Sequence, residues 1–137
     1  MGRDDMAVIP AGQYQLGSTD FYPEESPIRN VTLPSFRIDV APVTNAQFER
    51  FVNATGYVTV SEQPPDPVLY PNLAPEEQIP ESAVFLPPPA SVDRSQPLSW
   101  WALIAGADWR HPQGPETCIE GLMEHPVVHV AYDDAIA

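Results

Sequence analysis

The chain has 137 residues with 19 acidic against 6 basic side chains, a formal net charge of −13 at pH 7. Its length suits one domain with one core, and so negative a surface opposes phosphate backbones and anionic headgroups, which excludes nucleic acid and membrane as partners. Eighteen prolines beside an ordinary 43% hydrophobic share predict a folded, loop-rich chain rather than a disordered one.

Val8 to Leu16 reads as two short extended segments around a turn at Ala11-Gly12, an expected hairpin. Asp20 to Pro27, with Pro23, Glu24, Glu25 and Pro27, resists helix and ladder and is read as a loop. Val31 and Leu33, then Phe36 and Ile38, alternate with polar residues on either side of Pro34-Ser35, the pattern of two strands with one face buried. Thr44 opens the clearest helix. Its hydroxyl can cap the first turn, Gln47 can reach back to complete a capping box, and Val43 and Phe48 occupy staple positions. Phe48, Phe51 and Val52 share one face and Gly56 is the expected stop, so the helix should run from about Asn45 to Ala54.

Prolines crowd the stretch from Gln63 to Gln96 and exclude long regular elements there. A short helix is expected around Pro75 to Gln78, where proline suits the first position and Glu76 and Glu77 suit the positive helix end. The rest reads as an ordered crossover anchored by Tyr70, Val84 and Phe85. Val127 to Val130 is a β-branched run expected as a buried strand, after which Asp133 or Asp134 could cap a helix.

Three histidines and the single cysteine, Cys118, raise a metal reading that their spacing opposes. His125 and His129 on a strand would lie about 13 Å apart, too far to share one ion. His111 and His125 are better read as hydrogen-bonded beside prolines, and His129 as packed in or beside a sheet. Cys118 lies between Glu116 and Glu120 with no base nearby, so it reads as a passive loop thiol and not a nucleophile. One cysteine cannot form an internal disulfide, and stability must come from packing. The acid pairs Glu24-Glu25, Glu76-Glu77 and Asp133-Asp134 have no glycosidase spacing of their own. No phosphate-cradling glycine loop or nucleophile elbow is present. The charged opening Met1 to Met6 is not followed by an apolar segment fit for secretion or membrane crossing, and a cytoplasmic location is expected.

Trp109-Arg110-His111 sits between Gly106 and Pro112, Gly114 and Pro115. An aromatic plane, a fixed cation and an imidazole on so constrained a loop can shape a pocket. They can equally form a Trp-anchored structural loop in which Arg110 pairs with an acid.

Several segments together resemble the formylglycine-generating enzymes, or sulfatase-modifying factors. They are Ile9-Pro-Ala-Gly12, Val31-Thr-Leu-Pro-Ser-Phe-Arg-Ile-Asp39, Pro42-Val-Thr-Asn-Ala-Gln-Phe48, Phe51 to Tyr57, Thr59-Val-Ser-Glu62, Trp100-Trp101, the Gly106 to Pro115 loop and His125 to Ala135. Thr55-Gly-Tyr57 with Glu62, and the Gly106 loop, mark the sulfatase-modifying branch of a wider superfamily.

The resemblance implies an α+β fold low in regular secondary structure, a variant of the C-type lectin architecture, with residues 1–137 as the amino-terminal portion of a single domain. It implies oxidation by molecular oxygen of the cysteine in a sulfatase's Cys-x-Pro-x-Arg segment to formylglycine, at copper(I) held between two thiolates. Val60, Ser61 and Glu62, with Trp109, would border the peptide groove. The copper cysteines and the structural calcium loops belong to the family's later half, and Cys118 matches neither thiolate, so no catalytic or metal-binding residue carries over. The isolated chain is therefore expected to be inactive, with a sulfatase peptide as partner and a complementary carboxy-terminal segment or a second copy against its apolar surfaces. The alternative is a non-catalytic, lectin-like module that binds a peptide or other ligand.

Overall fold

The computed structural model describes residues 6–88 and 98–137. Expectations for Met1 to Asp5 and for the crossover from Pro89 to Gln96 lie outside these residues. The chain forms two compact units, residues 1–42 and 43–137, and has a mixed α/β character of small sheets and few helices.

The first unit holds β1 (Met6–Ile9), β2 (Gly12–Leu16), a 3-10 turn at Pro23–Glu25, β3 (Arg29–Leu33) and β4 (Phe36–Asp39). The expected hairpin at Ala11-Gly12 does not form. β1 pairs with β4 and β2 with β3, both antiparallel, from Met6 opposite Asp39 to Leu16 opposite Arg29. The pairs Ile9–Phe36 and Gly12–Leu33 keep one register, so these segments make one ribbon interrupted at Pro10 and Pro34. Proline has no N–H to give the ladder, and Ser35 Oγ bridges the gap by donating to Ile9 O at 3.0 Å. Val31 and Leu33 are half-buried as the alternation predicts, whereas Phe36 and Ile38 are exposed: a two-stranded ribbon has no second layer within its unit to cover that face.

The second unit begins with α1 (Asn45–Thr55) and continues through 3-10 turns at Val60–Glu62 and Pro75–Glu77, β5 (Glu81–Phe85), β6 (Trp101–Ala105) and α2 (Tyr132–Ile136). The capping box is present: Gln47 N donates to Thr44 Oγ1 at 3.3 Å and Thr44 N to Gln47 Oε1 at 2.9 Å. Gly56 closes α1 in the left-handed conformation at φ 70°, a backbone state glycine adopts without strain. The two remaining free amides of the first turn find distant carbonyls, Asn45 N on His125 O and Ala46 N on Met123 O, each at 2.9 Å.

Phe48 and Val52 turn inward from α1 and pack on Trp109, with Phe51, Ile119 and Val127 around them. Phe48 and Trp109 meet edge to face, their centroids 5.1 Å apart. β5 and β6 form an antiparallel ribbon from Glu81 opposite Ala105 to Phe85 opposite Trp101. Neither strand is singled out by the sequence reading; β5 fits a proline-free window within the proline-rich stretch. The expected strand at Val127 to Val130 is absent. Its chain makes one bridge, Pro126 to Thr44, then His129 takes φ 56°, which breaks extended geometry and leaves Val128 and Val130 exposed.

Candidate functional site

The Val60–Glu62 turn is built from its own sequence. Glu62 reaches back so that Oε2 accepts from Thr59 N at 2.9 Å and from Thr59 Oγ1 at 2.7 Å, and Thr59 is wholly buried. Ser61 Oγ lies 3.1 Å from both His129 O and Thr59 Oγ1. Its single proton serves one of these acceptors at a time.

Asp134, at the third position of α2, joins this turn from 74 residues away. Its Oδ1 accepts from Val60 N at 2.9 Å and from Tyr57 OH at 3.1 Å, while Oδ2 accepts from Ala131 N at 2.6 Å. The carboxylate is only 4% exposed, and three donors from three segments compensate its burial. Desolvation first, and then the bond to Asp134, hold the Tyr57 phenol above its ordinary pKa.

The Trp109 loop approaches from the other side. Asp108 Oδ1 accepts from Arg110 N at 2.6 Å and His111 N at 2.9 Å, and both Asp108 oxygens lie 3.1 Å from His111 Nδ1; this aspartate turn sets the loop's shape. Trp109 is wholly buried. The Arg110 guanidinium sits 4.1 Å over its ring and donates from Nη1 to Glu62 Oε1 at 2.7 Å, an ion pair that ties loop to turn. His129 Nε2 donates to Pro112 O at 2.8 Å; a carbonyl only accepts, so this nitrogen carries the proton.

Val60, Ser61 and Glu62 therefore meet the Trp109 loop in one network. Trp109 enters it through Arg110, with its own ring turned into the core. Beside the turn opens a groove of about 530 Å³ between Val60, Leu69, Tyr70 and Leu103, rimmed by Asp66, Glu81 and Asp133 and lined by no basic residue. A second hollow of about 610 Å³ lies over Phe85, Trp101, Gln113 and His129. Cys118 is exposed and free, and among the described residues no three His, Cys, Asp or Glu side chains converge as metal ligands. The resemblance carried Tyr57 and Thr59 within its motifs without a role for either, and sequence reasoning missed the tie from Asp134 to Val60. Asp134 was legible only as a cap, because nothing local to Tyr-Asp-Asp announces a partner so far away.

The sequence matches the family model for the sulfatase-modifying factor enzyme 1-like domain over residues 2–137. It is 49% identical over 133 residues to the formylglycine-generating enzyme of Mycobacterium tuberculosis (strain ATCC 25618 / H37Rv), covering 97% of this chain and 44% of that protein. Against the formylglycine-generating enzyme of Mus musculus the identity is 36% over 140 residues, 96% of this chain and 34% of the relative. The inactive C-alpha-formylglycine-generating enzyme 2 of Bos taurus is 36% identical over 135 residues, 97% and 42% of the two chains. The chain thus spans less than half the length of these relatives. With a match that runs through the turn, the Trp109 loop and the buried aspartate, the chain belongs to the sulfatase-modifying factor family.

Proposed function

We propose that the chain contributes the peptide-binding wall of a formylglycine-generating domain, the kind that converts the cysteine of a sulfatase Cys-x-Pro-x-Arg segment to formylglycine with molecular oxygen. The observation that carries this reading is the groove beside Val60: apolar walls, three rim acids and no base among its lining residues. Such a groove suits an extended peptide that ends in a cation. Val60 lines it directly, Ser61 and Glu62 hold the turn in place, and Trp109 supports the loop from within the core. The short ribbons and turns accord with a C-type-lectin-like arrangement, of which residues 1–137 form the amino-terminal portion.

The residues present do not fit the copper(I) centre the family implies. A two-thiolate site cannot be made from Cys118 alone, and this thiol is exposed in a loop flanked by acids. Oxidation by this chain unaided is therefore not expected. A sulfatase peptide in the cytoplasm is the proposed partner, together with a complementary segment or a second copy that covers the exposed apolar residues Phe85, Trp101 and Leu103. No helix among the described residues is long and apolar enough to cross a membrane.

Titration of a fluorescent Cys-x-Pro-x-Arg peptide into the chain tests the groove. Binding should weaken with salt and with replacement of the peptide's arginine by glutamine. No binding, or binding indifferent to that arginine, would refute it. The single thiol and the relative described as inactive support the second reading, a lectin-like binding module without catalysis. Addition of the complementary segment separates the two: formylglycine forms on the first reading, and the peptide binds unmodified on the second.

A further inference from the structure

We propose that Asp134 is a positioning residue for the groove: its carboxylate sets the place of the Val60–Glu62 turn, so that ligand affinity depends on a side chain that does not line the groove. The proposal rests on the groove reading above, and on geometry that stands apart from it.

Val60 and Asp133 both line the groove, one from the turn and one from α2. Asp134 is the direct neighbour of Asp133 in α2 and binds the Val60 amide at 2.9 Å. One carboxylate therefore fixes the separation of two groove walls that are distant in sequence. Its burial, at 4% exposure, makes this fixing rigid, because an aspartate removed from water keeps its donors rather than exchange them. Its two oxygens are divided unequally. Oδ2 serves Ala131 N within α2's own first turn, while Oδ1 carries both long-range partners, Tyr57 OH and Val60 N.

That division makes Asp134→Asn selective. The amide has one acceptor oxygen, which the local Ala131 N keeps, and its NH2 then faces the Val60 N–H, donor against donor. The turn comes loose while the helix cap stays. Tyr57→Phe acts oppositely: it removes the competing donor from Oδ1 and leaves the Val60 N–H as the sole long-range partner.

Two readouts on the intact chain test the idea, the Val60 amide proton by NMR and the affinity for the Cys-x-Pro-x-Arg peptide. Asp134→Asn should move the Val60 resonance upfield and weaken peptide binding about tenfold. Tyr57→Phe should move it downfield and hold the affinity within about twofold. A Val60 amide that stays put in both variants overturns the proposal, and so does an amide displaced in Asp134→Asn with unchanged affinity. If Asp134→Asn does not fold, the direction of the Val60 shift in Tyr57→Phe decides. If the unaltered chain binds no peptide, the groove reading fails, and the amide shifts alone judge whether Asp134 positions the turn.

Discussion

Glu62 offers the sharpest test of the network, because its two oxygens do different work. Oε2 satisfies the amide and hydroxyl of Thr59, which is wholly buried; Oε1 meets Arg110 in an ion pair whose side chains are 40% and 19% exposed. Glu62→Ala removes both functions. The Thr59 hydroxyl can turn to Ser61 Oγ, 3.1 Å away, but its amide is left unsatisfied, at a cost of about 1–3 kcal/mol. The ion pair, discounted for solvent, adds no more than about 1 kcal/mol. Glu62→Gln keeps one acceptor oxygen for Thr59, while its NH2 takes the place of Oε1 and gives up both the charge and the hydrogen bond to Arg110. The alanine variant should therefore be less stable than the glutamine variant by about 1–3 kcal/mol, or roughly 3–9 °C in melting temperature for a chain of this size. Thermal unfolding followed by near-ultraviolet circular dichroism measures the difference, and repetition at high salt should bring the unaltered chain closer to both variants and leave the gap between the two variants unchanged. Equal melting of the two variants would show that Thr59 does not depend on Glu62, and the account of the turn would fall.

Thr44→Ala should cost about 1 kcal/mol by chemical denaturation, since it removes the side-chain acceptor of the Gln47 amide and leaves that amide only the Thr44 carbonyl at 3.1 Å; an unchanged midpoint would contradict the capping role. Gly17→Ala should destabilise the first unit by roughly 1–3 kcal/mol: at φ +94° an added Cβ would stand 2.5 Å from Glu25 O. Loss of amide protection along β2 and β3, with α1 unaffected, is the expected signature. The raised Tyr57 pKa favours the protonated phenol in the folded state. Its contribution is fully present below the unfolded-state value of about 10 and is lost as pH rises through the folded one. Tyr57→Phe should then flatten the fall in melting temperature above about pH 10; an identical alkaline profile would refute this.

What the sequence disclosed was local. α1, with its cap, staple and stop, is legible because Thr44, Gln47, Phe48 and Gly56 interact within a few turns of one another, and the observed helix ends at Thr55, one residue beyond the expected Ala54. The turn at Pro75–Glu77 follows from proline and acids in the same way. Pairing was not legible. β1 and β2 are adjacent in sequence with a turn between them, yet each finds its partner across the Pro23 to Pro27 loop, so the hairpin signal at Ala11-Gly12 was a false one. The Val127 to Val130 run has strand composition, but its neighbours are the α1 start and the Ser61 hydroxyl rather than a ladder. At the site, the resemblance picked out Val60, Ser61, Glu62 and Trp109. Their mutual geometry came from Arg110 and Asp134, whose partners lie 48 and 74 residues off.

The way α1 begins has a consequence for how the polypeptide is made. Two of its opening amides are closed by carbonyls of Met123 and His125, which leave the ribosome long after the helix itself. The aromatic face of Phe48 and Phe51 waits in the same way, first for Trp109 and last for Val127. The nascent chain should thus carry an unfinished, sticky helix until the segment around Val127 has emerged, a natural client for a holding chaperone.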